Sequence, residues 1–164
     1  MYGPIVTLIL TSGTKKPRLP RHPALWVAPF RPLWDSDLHI PARILLVDDH
    51  PAARRTARAV VDDMGRNRAV VCGEAENGKQ ALEKVRSLEP DIVLLDIGMP
   101  EMDGVQAAYA IRRMAPYAKI VFFTVNDSPE AFTAAKLLGV EALVPKSSPA
   151  RVLISTIERL VTTH

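Results

Sequence analysis

Cysteine is almost absent from this sequence of 164 residues: Cys72 is the single one, which excludes a disulfide framework and a thiolate zinc site. Cys72 follows Val70 and Val71 in an apolar run and is expected to pack as a small buried hydrophobe. Long apolar runs are missing too. The longest, such as Ile92–Leu95, are of strand length, far short of a bilayer span. The four histidines (His22, His39, His50, His164) are scattered without metal-ligand spacing. With 48% hydrophobic and 24% charged residues, the chain has the balance of a globular protein and is neither fibrous nor wholly disordered.

A net basic charge on residues 42–164 is lacking as well. The net charge of +3 resides in residues 1–41, where Lys15, Lys16, Arg18, Arg21 and Arg31 face only Asp35 and Asp37. The remaining residues carry equal numbers of basic and acidic groups, so the core offers no charge signature of nucleic-acid binding. Half of the 14 prolines also fall in residues 1–41. Repeated proline fixes φ and removes backbone donors, so no helix or central strand runs through residues 17–41. Trp26, Phe30 and Trp34 have helical spacing, but Pro29 and Pro32 forbid that helix. Met1–Leu10 has no basic start or small-residue cleavage site and makes a poor signal peptide. Residues 1–41 are therefore expected to be a disordered basic arm, with a partner-binding arm as the alternative, and residues 42–164 the folded domain.

From Pro41 onward, short apolar runs alternate with amphipathic stretches. The runs Ile44–Val47, Ala69–Cys72, Ile92–Leu95, Ile120–Phe123 and Ala142–Val144 suit strands covered on both faces. Between them, Ala53, Ala57, Val60, Val61 and Met64 follow helical period, with Pro51 before and Gly65 after. Asn77 and Gln80 form a capping-box pattern ahead of Ala81, Val85 and Leu88. Gly104 opens a third helix of weak periodicity. Ser128-Pro129 and Ser148-Pro149 each give an N-cap followed by a first-turn proline, Gly139 ends the fourth helix, and the fifth buries Leu153, Ile157 and Leu160. Five strand–helix units predict an α/β fold: a doubly wound, five-stranded parallel sheet with right-handed crossovers and helices on both faces.

Ligands of such sheets bind beyond the carboxyl ends of the strands. Asp48 and Asp49 follow the first run, Asp96 the third, Thr124 the fourth and Lys146 the fifth. Taken singly, each has an ordinary explanation as a cap, a β-former or a surface lysine. Jointly they place three carboxylates, a hydroxyl and an ammonium on one edge. Clustered carboxylates repel unless a cation intervenes, and an oxygen-only donor set favours a hard ion such as Mg²⁺.

The strings Ile44-Leu-Leu-Val-Asp-Asp-His-Pro51, Ile92-Val-Leu-Leu-Asp-Ile-Gly-Met-Pro-Glu-Met-Asp-Gly104, Val121-Phe-Phe-Thr124 and Lys146 resemble the receiver domains of two-component response regulators, most of all those preceding LuxR-type (NarL/FixJ-like) DNA-binding domains. The resemblance implies a flavodoxin-like, CheY-like (βα)5 fold with strand order 2-1-3-4-5. It makes Asp96 the phosphoacceptor, with Thr124 and Lys146 contacting the phosphoryl group. It assigns Mg²⁺ to Asp49, to Asp48 mainly through water, to Asp96 and to the backbone carbonyl of Gly98. It also implies a cytoplasmic signalling phosphoprotein rather than an enzyme, phosphorylated by a sensor histidine kinase or phosphotransfer protein in a phosphorelay. A downstream effector or a homodimer would read the switch, with no direct binding to nucleic acid or membrane. Met99-Pro100 and Asp103-Gly104 are expected to serve turn and cap chemistry.

Three positions depart from the family pattern: Leu143 replaces an aromatic, Val125 a small residue, and Pro145 precedes rather than follows Lys146. Arg55 and Arg58 lie on the polar side of the first helix, as a donor-docking surface or a solvated face. A flavodoxin-type flavin carrier is disfavoured by acidic Asp48-Asp49 where a phosphate cradle is needed. A haloacid-dehalogenase-like phosphatase needs a second aspartate where Gly98 stands. No helix-turn-helix fits before His164, so a receiver alone is expected, either a stand-alone relay or part of a larger regulator. A pseudo-receiver is the remaining alternative.

Overall fold

The computed structural model describes residues 40–125 and 127–162. The expectations for the proline-rich arm, including Trp26, Phe30, Trp34 and Met1–Leu10, lie outside these residues.

Strands and helices alternate along the described chain: β1 (Ala42–Val47), α1 (Pro51–Asp63), β2 (Ala69–Ala75), α2 (Gly78–Leu88), β3 (Ile92–Leu95), α3 (Gly104–Met114), β4 (Lys119–Thr124), α4 (Pro129–Leu137), β5 (Ala142–Pro145) and α5 (Ala150–Thr162). The strands pair in parallel in the order β2-β1-β3-β4-β5, the flavodoxin-like arrangement. Successive side chains on a strand point to opposite faces, and here both faces are apolar. Leu45, Val47, Val93, Leu95, Ile120 and Phe122 join Ala81, Val85, Ala107, Ala108, Ile111, Ala131 and Ala135 of α2, α3 and α4. Ile44, Leu46, Ile92, Leu94, Val121 and Phe123 join Ala57 and Val61 of α1 and Leu153, Ile157 and Leu160 of α5. That double covering is why β1, β3 and β4 read as unbroken apolar runs.

The edge strands are less covered. β2 is only half-buried between Ala69 and Ala75, and its register against β1 slips between Ile44 and Leu45, whose partners are Val71 and Gly73. Cys72 falls in that slip. It is half-buried rather than buried, its thiol donates to Ile44 O at 3.4 Å, and burial pushes the thiol pKa up.

Helix ends follow local chemistry. Asn77 Oδ1 accepts from Gln80 N at 2.9 Å, while Gln80 Oε1 reaches back one residue beyond the cap, to Glu76 N at 3.1 Å. Asp103 caps α3 through Gln106 N at 2.8 Å, and Ser128 caps α4 through Ala131 N at 3.3 Å. α5 begins at Ala150, so Pro149 precedes it rather than filling its first position, and its carbonyl accepts from Val152 N at 2.9 Å. α3 buries Gly104, Ala107, Ala108 and Ile111, a face of mostly small residues that accounts for its weak period.

Candidate functional site

Chain direction across the sheet changes between β1 and β3: β1 leads to α1 on one face, while β3 leads to α3 on the other. Open α/β sheets bind ligands at such a switch point. The residues there are buried: Asp48 after β1 is 5% exposed, Asp96 after β3 is 3%, and Thr124 at the end of β4 is fully enclosed. Lys146, just past β5, sends its ammonium between the two aspartates, 2.5 Å from Asp48 Oδ2 and 2.9 Å from Asp96 Oδ2. The remaining oxygens are also held. Asp48 Oδ1 accepts from His50 N at 2.9 Å, and Asp96 Oδ1 accepts from Ile97 N at 2.8 Å. Lys146 N in turn donates to Thr124 O at 2.8 Å, which ties the lysine's backbone to β4.

The repulsion expected between the strand-end carboxylates is thus offset by a side-chain cation. Burial pulls the Lys146 pKa down, but hydrogen bonds to Asp48 and Asp96 and their charges outweigh it and hold the ammonium above its ordinary value. Asp49 is half-buried, and its Oδ1 lies 2.8 Å from His50 Nδ1. Ligand atoms of Asp48, Asp49 and His50 lie within 4.8 Å of one another, a group suited to a metal ion. His50, which follows the two aspartates directly in sequence, joins this group. Asp96 is not one of that trio. Gly98 lies exposed two residues beyond it, and a Cβ added there would meet nothing within 4 Å. These oxygen donors suit a hard ion that keeps some of its waters.

The loop after Asp96 is shaped by close approach. A Cβ on Gly104 would come within 2.0 Å of Asp96 O, while Gly104 N donates to Ile97 O at 2.9 Å. Glu101 adopts a left-handed φ of 65° in the turn and pairs with Lys79 at 3.0 Å. Met99 is buried, and Met102 N donates to Pro100 O at 2.8 Å, so turn and cap chemistry is what this segment shows.

Leu143 is half-buried against the core of the α2–α3–α4 side, and Val125 is 76% exposed. Of the two arginines expected on a solvated or docking face of α1, Arg55 is exposed, but Arg58 binds Glu74 Oε1 at 2.6 Å. Arg58 first, with Arg54 adding to it, holds Glu74 below the usual carboxylate range despite some burial. Arg54 was missed by sequence reasoning. It lies among the buried residues of α1, and its carboxylate partners, Glu74 on β2 and Glu76 just past it, are distant in sequence.

Residues 44–158 match the response regulator receiver domain, and the chain belongs to that family. It is 34% identical over 119 residues to the nitrate/nitrite response regulator protein NarL of Escherichia coli K12, covering 73% of this chain and 54% of that protein. It is 36% identical over 112 residues to the chemotaxis protein CheY of Thermotoga maritima, covering 68% of this chain and 91% of that one. The crystal structure of a LuxR-family two-component response regulator from Aurantimonas sp. superposes with a TM-score of 0.68 at 33% identity, covering 74% of this chain and 85% of that one. The chain spans about half the length of NarL. Among the described residues, no helix is long and apolar enough to cross a membrane.

Proposed function

We propose that this receiver domain accepts a phosphoryl group on Asp96 in an Mg²⁺-dependent phosphorelay. The observation that carries the reading is Lys146, bonded to both Asp48 and Asp96 in the crevice beyond β1 and β3. A carboxylate oxygen of Asp96 forms the new O–P bond as the P–N bond of a phosphohistidine donor breaks, and the donor imidazole leaves with the electron pair. Such transfer depends mostly on positioning and charge compensation. Asp49, Asp48, Asp96 and the Gly98 carbonyl would hold Mg²⁺, which supplies charge compensation for the phosphoryl oxygens. Lys146 contacts another of those oxygens, and Thr124 hydrogen-bonds to the group and reports it by moving.

The domain assists its own phosphorylation and dephosphorylation without turning over a separate substrate. Its partners are a sensor histidine kinase or phosphotransfer protein upstream and an effector or second copy downstream, in the cytoplasm and without direct contact to nucleic acid. Residues 42–164 form the receiver and residues 1–41 an arm outside it. The length of NarL favours a second reading of the context: the receiver portion of a longer transcriptional regulator.

The test is intact-mass measurement of the full chain after incubation with acetyl phosphate and Mg²⁺. One added phosphoryl group is expected, absent in Asp96→Asn. Equal labelling of that variant overturns the acceptor assignment.

A further inference from the structure

The polar or charged residues buried among the described ones are four: Asp48, Asp96, Thr124 and Arg54. Three belong to the site proposed above, and the fourth reaches it. Arg54 stands on the face of α1 that buries Ala57 and Val61, where an apolar side chain of similar length would fill the space without desolvating a charge. Its guanidinium instead splits three ways. Nη1 donates to the main-chain oxygen of Asp48 at 2.7 Å, Nε to Glu74 Oε2 at 3.0 Å, and Nη2 to Glu76 Oε1 at 2.9 Å. Arg58 holds the other oxygen of Glu74, so the carboxylate that aims the Arg54 fork is itself fixed.

The Asp48 oxygen belongs to the peptide plane that carries the nitrogen of Asp49. Asp48 N is already pinned to Ala75 O at 3.0 Å. Its side chain is held by His50 N and by Lys146. The bond from Arg54 adds the remaining constraint and sets the direction in which the chain leaves β1 toward Asp49. We infer that Arg54 is a positioning residue, which fixes the Asp48–Asp49 peptide so that both carboxylates are preorganised for a divalent cation. This rests on the reading of Asp48 and Asp49 as metal ligands. Groups that orient ligands from behind typically change metal affinity about 10–100-fold when removed.

The experiment is calorimetric titration of the full chain with MgCl2, with thermal midpoints measured alongside. Arg54→Met is expected to raise the Mg²⁺ dissociation constant about tenfold. The Mg²⁺ concentration for half-maximal labelling by acetyl phosphate should shift by the same factor, with the rate recovering at saturating Mg²⁺. Arg54→Lys, which keeps the charge but not the fork, should restore part of the affinity. The control Arg68→Met, which breaks the remote pair with Glu158, should change the midpoint alone. Should Arg54→Met fail to fold, the double variant Glu74→Ala, Glu76→Ala leaves the arginine without its aim and is expected to weaken Mg²⁺ severalfold. Wild-type affinity in either folded variant overturns the inference. If Asp49→Ala loses Mg²⁺ while Arg54→Met keeps it, the inference alone fails. If the wild-type chain takes up no Mg²⁺, or Asp49→Ala binds it as tightly, the functional reading fails and this one with it.

Discussion

Gly104→Ala concentrates the physics of the loop after Asp96 in a single methyl group. The added carbon would stand 2.0 Å from Asp96 O and 2.8 Å from both Asp96 C and Ile97 Cα, all backbone atoms, whereas real Cβ atoms essentially never approach within 3.0 Å. Either the start of α3 or the exit of β3 must therefore retreat by roughly 1 Å. The exit resists, because Asp96 N is bonded to Val47 O at 2.8 Å and Gly104 N to Ile97 O at 2.9 Å. Overpacking of this kind costs about 1–3 kcal/mol, and the rigid neighbours place the variant in the upper half of that range. For a domain of this size the melting midpoint should drop by roughly 5–10 °C. If Asp96 takes the phosphoryl group as proposed, its labelling should slow as well, because the carbonyl being displaced is its own. Gly98→Ala is the matched control: its methyl meets nothing within 4 Å, so stability should hold or rise by about 0.4–1 kcal/mol through the unfolded chain. Urea and thermal unfolding followed by circular dichroism decide the matter. Equal midpoints for Gly104→Ala and the wild type would refute the reasoning.

Lys146→Met leaves two buried carboxylates without their shared ammonium and should cost about 3–5 kcal/mol at neutral pH in Mg²⁺-free buffer, measured by urea unfolding. Because the folded-state pKa of Lys146 is raised above 10.5, its contribution is complete below that pH and disappears as the pH rises through the raised value. On the alkaline side the gap between wild type and variant should accordingly persist until the pH passes the ordinary lysine value, and a gap that closes near neutrality contradicts the pairing. Asn77→Ala removes the cap on Gln80 N and should lower stability by about 1 kcal/mol, read from the urea midpoint.

The strand runs were legible because a parallel sheet covered on both faces demands continuous apolarity, and β3, Ile92–Leu95, matches the expected run to the residue. The strand-end residues were legible because the fold's own rule says where ligands bind. Less visible was what depends on contacts between distant segments. Asp48 and Asp96 share Lys146, a pairing that no spacing reveals. Arg54 escapes a reading of apolar stripes because its burial is set by Glu74 and Glu76, which arrive only when β2 pairs with β1. The half-burial of Cys72 follows from a register slip and an edge position, neither of which a run of valines announces. α3 was the faintest helix, since alanines bury well yet barely register as apolar.

The sheet order has a consequence for how the molecule is born. Of the described strands β1 is the first to leave the ribosome, yet it lies inside the sheet, and its neighbours β2 and β3 are both made after it. The ammonium that bonds to Asp48 belongs to the segment after β5. At about 5–20 residues per second, the acidic exit of β1 waits on the order of ten seconds for its lysine. During that interval Asp48 lacks the ammonium that later bonds to it. A nascent chain halted before β5 therefore carries Asp48 and Asp96 without the ammonium that bonds to both.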